Sequence, residues 1–275
     1  MKKKVILVTG ASSDIGKATV RLLHQEGHIV YGIGRRAEAM QDLQEAGVNV
    51  KTADVTNENT LKEIMKEILS KHNCIDALVN NAGINILGSI EETPAKEAKR
   101  LFEVNVFAYA RLIQLALPHM RKQGTGTIIN VGSVAGFIAI PGNGWYCASK
   151  FALEALTDTL RMEVRPLGIK VVLIEPEVIK TNIGARSLHS LKQYPLIEDY
   201  SYFMDKWPIM VPRSMAIGVS PEKVAKVILK ALYAKRSYTR YYVPTYSYII
   251  PFLKRLLPYS WIDRLTILIM RIKSR

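Results

Sequence analysis

The stretch LVTGASSDIGKA, Leu7–Ala18, decides the fold. It joins a short apolar run, Val5–Val8, to a loop of small residues and then to DIGKATVRLLHQEG, an amphipathic pattern that ends near Gly27. A short apolar run before a turn signal reads as a buried strand, and apolar residues at three- and four-residue spacing read as a helix. Gly10 follows the strand directly, and Gly16 lies in the opening turn of the helix. Small residues let a backbone approach a pyrophosphate, and the free N–H groups of a helix start favour an anion. A glycine pair alone is a weak signal, because many strand–helix turns carry glycine for steric reasons. Asp14 puts a carboxylate inside this loop. Asp is a favoured cap at a helix start, so its side chain is expected to turn back onto its own helix. That leaves the backbone of Ser12, Ser13, Asp14 and Ile15 to face the phosphates.

Outward from this loop, apolar runs alternate with helical patterns. Ile29–Ile33 is a second strand, AEAMQDLQEAG a helix closing at Gly47, VNVKTAD a third strand and NENTLKEIMKEILSKH a third helix. Ile75–Gly83 is a fourth strand with its exit loop, and a long helical stretch runs from Thr93 through Arg121. Thr127–Ser133 is a fifth strand, Trp145–Val164 a helix stopped by Pro166, and Ile169–Pro176 a sixth strand. Ser220–Ala234 is a capped helix, and TRYYVP a last strand. Such alternation implies parallel strands joined by right-handed crossovers, with helices on both faces. The expected fold is α/β, a Rossmann-type doubly wound parallel sheet of about seven strands in a single domain. Residues 1–245 form that domain, 177–219 its substrate lid, and 246–275 a C-terminal extension. The ligand should lie at the carboxyl ends of the strands.

The totals agree with one such domain. The chain has 275 residues, 48% hydrophobic and 23% charged, ordinary for a soluble globular protein. Its net charge of +14 is unusual. A basic surface suits nucleic acid, an anionic membrane, an acidic partner or a phosphorylated ligand, and a plain Lys/Arg excess for solubility fits equally well. No nucleic-acid module signature is present, so no nucleic-acid partner is expected. Cys74 and Cys147 show neither C-x-x-C nor metal-type spacing, which suits a reducing cytosol and predicts no metal site. The opening MKKKVILVTG mimics a signal peptide, but its apolar run is too short and reads better as the first strand. No segment approaches the ~20 apolar residues of a membrane span.

Three further places carry chemistry. About 20 residues beyond the loop, where an NAD site would place an acidic residue for the ribose 2′-hydroxyl, the sequence reads GIGRR with Arg35 and Arg36. Two guanidiniums there suit a 2′-phosphate; the alternative is two solvated surface arginines. YCASK sets Tyr146 and Lys150 four apart on one helix face. A tyrosine with a pKa of about 10 is a poor acid/base near neutrality, but a cation ~6 Å away stabilises the phenolate by roughly 3 kcal/mol. Such a Tyr can protonate a ketone oxygen or deprotonate an alcohol. Ser133 ends the fifth strand and faces the same crevice. Asn105, in the apolar stretch EVNVFAYA, needs a hydrogen-bond partner, structural or functional.

Together, TGASSDIG, NNAG, Asn105, Ser133 and YCASK resemble the classical short-chain dehydrogenases/reductases, closely over Val5–Thr181 and more loosely over Ser220–Val243. The resemblance implies that Tyr146 is the acid/base, that Lys150 lowers its pKa and binds the nicotinamide ribose, and that Ser133 orients the carbonyl. It implies that Asn105 supports a water-linked proton relay. Around the cofactor it implies Gly10, Ser12, Ser13, Asp14, Ile15 and Gly16 at the phosphates, and Asp54 and Val55 at the adenine. Asn81, Ala82 and Gly83 would lie near the ribose, and Pro176, Val178 and Thr181 at the nicotinamide. Arg35 and Arg36 would mark NADP(H). The sequence departs from the family pattern twice, with Asp14 and Glu177 where glycine is usual.

The segment 177–219 carries Tyr194, Tyr200, Tyr202, Phe203, Met204, Trp207 and Met210. These suit a bulky apolar ligand, or pack the lid onto the body. Phe137, Ile140 and Trp145 are expected to add an apolar wall. The tail YSYIIPFLKRLLPYSWIDRLTILIMRIKSR intersperses Lys254, Arg255, Arg264, Arg271, Lys273 and Arg275 among apolar residues. It reads as an interfacial amphipathic segment giving peripheral membrane contact, or as an extension packed over the pocket or at a subunit contact. Lid, tail and core together resemble the branch acting on steroids, retinoids and acyl-lipid ketones. Expected, then, is a cytoplasmic NADP(H)-dependent oxidoreductase with a small-molecule carbonyl or alcohol substrate, a homo-oligomer (dimer or tetramer) by family resemblance. The rivals are a 3-ketoacyl-carrier-protein-type reductase, whose acidic carrier would meet the basic surface, and a non-enzymatic NADP(H)-binding regulatory protein.

Overall fold

The computed structural model describes residues 3–191, 193, 197–234 and 237–270. Seven strands are arranged β3-β2-β1-β4-β5-β6-β7 in one sheet. They are β1 (Val5–Thr9), β2 (Ile29–Gly34), β3 (Asn49–Thr52), β4 (Ala77–Asn80), β5 (Gly126–Val131), β6 (Ile169–Pro176) and β7 (Arg240–Val243). All neighbours pair in parallel. This is the expected single-domain Rossmann-type sheet. The strand order reverses between β1 and β4, which opens a crevice at their carboxyl ends.

The central strands are buried on both faces and read as continuous apolar runs, whereas the edge strand β3 is only partly covered. Alternate side chains separate the two cores. Ile6 and Val8 of β1 pack with Val20 and Leu23 of α1 (Asp14–Gln25) and Ile228 of α10 (Pro221–Tyr233). Val5 and Leu7 face the other core, with Leu61 and Ile64 of α3 (Glu58–His72), Leu112 of α5 (Ala108–Gln123) and Leu160 of α6 (Gly144–Val164). A short α2 (Gln41–Glu45) precedes β3.

Two stretches differ from their sequence reading. The expected long helix from Thr93 is broken into α4 (Ala95–Phe102), a π-helical turn at Glu103–Phe107, and α5. A π-turn inserts one residue into the helical ladder and commonly marks a functional position; here it carries Asn105. The lid, where the sequence pattern marks no helix, is helical. It folds as α7 (Ile183–Ser190), α8 (Ser201–Met204) and α9 (Trp207–Ile217). Phe203, Met204, Trp207 and Val211 form a third apolar cluster with Leu87. The extension continues as a 3₁₀ turn at Thr245–Tyr248, α11 (Ile249–Leu256) and α12 (Tyr259–Ile269). Tyr194, Arg271, Lys273 and Arg275 lie outside the described residues.

Candidate active site

A cleft of about 370 Å³ runs along the carboxyl ends of the strands. Its floor is built from backbone contacts. Thr9, closing β1, accepts at its hydroxyl from the Asn81 and Ala82 N–H groups at 2.9 and 3.0 Å, and its carbonyl accepts from the Asn81 side-chain amide at 2.9 Å. Gly10 turns at φ +76°, and a Cβ there would lie 2.6 Å from Asn81 Nδ2. A Cβ on Gly16 would lie 2.2 Å from the Gly10 carbonyl oxygen. Both glycines are therefore demanded by close approach. Gly16 packs beneath Gly10 and does not line the cleft, whereas Gly10, Ser12, Ser13, Asp14 and Ile15 do. This bare, small-residue cradle at the start of α1 fits a dinucleotide pyrophosphate.

Asp14 does not turn back onto α1. Ser13 is the N-cap, and Asp14 opens the helix at φ +48°, a conformation costing roughly 1–2 kcal/mol for a residue with a side chain. Its carboxylate reaches the lid instead. It accepts from the backbone and side-chain nitrogens of Asn182, both at 3.2 Å, and from Arg186 at 3.4 Å. Asn182 is the residue that starts α7. The anion-averse side chain is thus spent on capping another helix, which the local sequence could not reveal.

At the far end, Arg36 donates to the Ser12 carbonyl at 2.8 Å, and Arg35 lies 3.9 Å from Asp54. Asp54 accepts from the Thr56 backbone and hydroxyl at 2.9 and 2.8 Å, fixing the turn after β3. Arg186 joins the two arginines: burial lowers its pKa, Asp14 opposes, and Arg36 and Arg35 add to the lowering. Arg35, Arg36 and Arg186 all line the cleft, near enough for the charges of the first two to act on the third.

At the other end stand Ser133, Tyr146 and Lys150, all lining the cleft. Lys150 is buried, donates to the Val131 carbonyl at 3.0 Å and sits 5.7 Å from the Tyr146 ring centre. Burial pushes the Tyr146 phenol up to about 12, opposed by a hydrogen bond with Ser133. Burial also brings Lys150 down to about 8, against the pull of Glu175 and Glu154. Desolvation is the largest influence on the phenol in the folded chain, and Tyr146 stands as a proton donor. Asn105 does not line the cleft. Its amide donates to the Ile84 carbonyl at 2.9 Å and to the Ser149 hydroxyl at 3.1 Å, and its oxygen accepts from the Ile84 N–H at 2.9 Å. It holds the segment after Gly83, with Asn81, Ala82 and Gly83 themselves in the wall.

Pro176 and Thr181 line the cleft as expected, but Val178 does not, and Ile179 takes its place. Val178 is used by the backbone: its carbonyl accepts from Val219 at 3.0 Å. Glu177, the second departure, lines the cleft and bonds to Ser247 at the start of the extension. The expected aromatic wall is also corrected. Phe137 packs on Tyr242, Trp145 on Phe102, and Ile140 on the lid cluster. The lid aromatics hold the lid down, with Trp207 donating to the Pro141 carbonyl at 3.2 Å. The lid's own cleft face is Ile183, Arg186, His189, Ser190 and Gln193. Sequence reasoning missed all five, because no motif spacing marks them.

A sequence-family profile described as short chain dehydrogenase matches residues 4–191. The chain belongs to the short-chain dehydrogenases/reductases. Among members of this family, it is 33% identical to the probable short-chain type dehydrogenase/reductase VdlC of Helicobacter pylori, over 98% of each chain. It is 34% identical to a 3-ketodihydrosphingosine reductase of Bacteroides thetaiotaomicron, over 86% of each. A short-chain dehydrogenase of Streptomyces avermitilis superposes with a TM-score of 0.81 at 32% identity, covering 96% of this chain and 95% of that one. Other short-chain dehydrogenase/reductase structures similar to it hold NAD (Burkholderia phymatum, TM-score 0.74, 26% identical over 87% of this chain and 89% of that one) or NADP (ElxO, TM-score 0.72, 25% identical over 90% and 100%). The protein is an oxidoreductase of this family with a nicotinamide cofactor and a small-molecule substrate.

Proposed function

We propose that the protein interconverts a carbonyl and a secondary alcohol, using NADP(H), on a bulky apolar, lipid-like substrate. The carrying observation is that Tyr146 and Ser133 line one cleft beside a buried Lys150, with Arg35, Arg36 and Arg186 lining the same cleft. A nicotinamide held in this cleft would supply or take the hydride. Tyr146 gives its phenolic proton to the carbonyl oxygen as charge develops there, and Ser133 orients that oxygen. Lys150 offsets the charge left on the phenolate. Asn105 acts through the Ile84 backbone and Ser149 as a positioning residue. Arg35, Arg36 and Arg186 select the 2′-phosphate. Gly10, Ser12, Ser13 and Ile15 hold the pyrophosphate, Val55 and Asp54 the adenine, and Pro176 and Thr181 the nicotinamide end.

The lipid-like substrate is supported by the aliphatic side chains of Ile84, Ile86, Val104, Ile179 and Ile183 in the cleft, and by likeness to the 3-ketodihydrosphingosine reductase. The extension supports peripheral contact with an anionic membrane surface. On α11 the exposed Ile249, Phe252, Leu253 and Leu256 recur at helical spacing, as do Trp261, Leu265 and Leu268 on α12, with Arg255 and Arg264 among them. The opposite side packs on the body, where Met270 enters the lid cluster and Lys254 lies 4.4 Å from the Phe151 ring centre. Among the described residues no helix is long and apolar enough to cross a membrane. Exposed Phe107 and Phe151 support pairing with a second copy. A cytoplasmic setting remains the reading of the cysteine pattern.

The deciding experiment measures NADPH oxidation with a long-chain 3-keto lipid, a carrier-linked 3-ketoacyl group and a small polar sugar ketone. Turnover on the first, lost about 10²–10⁴-fold in Tyr146→Phe with NADPH affinity retained, is expected. Preference for the carrier-linked group would establish the rival reductase. NADPH binding with no turnover on any of them would favour the regulatory reading.

A further inference from the structure

The mechanism leaves two buried carboxyl groups unused directly behind the catalytic side chains. Glu175, in β6, is wholly buried, and Glu154, one turn beyond Lys150 on α6, is 9% exposed. Glu175 Oε2 accepts from the Ser133 backbone N–H at 3.1 Å. Glu154 Oε2 accepts from Arg240 Nε and Nη2 at 3.2 and 2.8 Å. Each carboxyl has one further oxygen, Oε1, buried with no donor, and the two side chains lie within hydrogen-bonding range of each other. The fit is close: a Cβ at Gly132 would lie 2.9 Å from Glu175 Oε2, and one at Gly136 would lie 3.0 Å from Glu154 Oε1.

Two buried oxygens that can only accept, side by side, are costly unless a proton lies between them. The surroundings decide which group carries it. Glu154 is ion-paired with a guanidinium that also grips Asp158 at 2.6 Å. Glu175 has only an amide donor, and desolvation first, then Glu154, raises its proton affinity against Arg240 and Lys150. The charged and titratable groups facing the pair are Lys150, Tyr146 and Asp158 from α6, and Arg240 and Tyr242 from β7.

We propose that Glu175 is a positioning residue for the reaction: a neutral carboxylic acid that donates to Glu154, holds the Ser133 main chain, and leaves the pair's one negative charge on Glu154, behind Lys150. Ser133 is thereby aimed from its backbone. Lys150, buried and without a carboxylate in direct contact among its hydrogen bonds, stays cationic through the charge that Glu154 supplies.

The inference rests on the proposed reaction for its kinetic arm but not for its spectroscopic one. Infrared difference spectra of the whole protein at neutral pH should contain a protonated-carboxyl C=O band that vanishes in Glu175→Gln. In the pH profile of kcat/KM, Glu175→Gln should keep the alkaline limb in place, because an amide mimics the neutral acid. Glu154→Gln should move that limb to lower pH by removing the charge that supports Lys150. Glu175→Ala should lower kcat about tenfold, the loss of one buried hydrogen bond, and Gln should restore it. Absence of the infrared band, or a limb that drops in Glu175→Gln as far as in Glu154→Gln, overturns the proposal. A present band with no turnover on any ketone would instead indict the reaction and leave the proton assignment standing.

Discussion

The cofactor wall and the lid wall of the cleft meet at Asp14, and they are held by different kinds of contact. The cofactor wall is closely approached main chain, clasped by two short side chains. The turn after β1 touches the turn after β4 through Thr9 and Asn81, and Gly10 and Gly16 allow an approach no side chain would survive. The lid wall hangs on side chains. Asp14 holds Asn182 and Arg186, Glu92 accepts from the Ile197 N–H at 2.6 Å, Glu91 accepts from the Tyr200 hydroxyl at 2.6 Å, and Trp207 bonds Pro141. Backbone approach admits few residue types, whereas side-chain tethers admit many. One wall is therefore rigid in sequence and structure, and the other is free to vary with the substrate.

The sharpest test of that division is at the chemical end of the rigid wall. Lys150→Met should lower kcat/KM about 10²-fold or more, the scale of a lost acid/base partner. In the unaltered enzyme, Lys150 titrates near 8. The cation is present below that pH and absent above it, so reduction should fall as pH rises through about 8, while Tyr146, near 12, stays protonated. A profile flat to pH 10 would break the assignment. The stability sign is opposite: with the folded value below the ordinary 10.5, the folded chain holds fewer protons between about 8 and 10.5, and the burial penalty of Lys150 shrinks across that window.

At the adenosine end, Arg35→Ala with Arg36→Ala should weaken NADPH binding about 10–100-fold, the loss of one or two charge-assisted contacts, and leave NADH binding unchanged. Fluorescence titration reads both; equal losses would show the arginines to be surface residues only. Asp14→Gly probes the junction. It removes the strain at φ +48° and cuts the tether, so amide exchange should quicken within Ile183–Ser190 and stay unchanged in β1, β4 and β5. Loss of protection across the sheet would erase the distinction between the walls. The smallest effect is expected at the extension. Trp261→Glu with Leu268→Glu should reduce sedimentation with anionic phospholipid vesicles severalfold, with NADPH affinity unaltered. If the double variant instead only changes oligomer size in light scattering, the apolar face covers a second copy.

The alternation of strand and helix patterns was enough to place all seven strands, because central strands between two helical layers must be short apolar runs and the edge strands β3 and β7 follow helical patterns in turn. The catalytic side chains were legible for a related reason: their spacing on α6 and at the end of β5 is set by backbone geometry. The break in the helix at Asn105 was not legible, since a π-turn carries no composition of its own and is stabilised by bonds to Ile84 and Ser149, far along the chain. Nor was the exclusion of Phe137, Ile140 and Trp145 from the cleft. An apolar side chain near a site reads identically whether it faces a ligand or a neighbouring helix.

Asp14 draws the line between the two sources of information. The sequence by itself determined that a strand runs up to a glycine turn, that a helix starts beyond it, and that a carboxylate stands at that start. Only the tertiary structure decided where the carboxylate points. Its partners, Asn182 and Arg186, lie more than half the chain away in sequence. Backbone sterics act between neighbours and are written locally. A side chain's hydrogen bonds are settled by whatever the fold brings within reach.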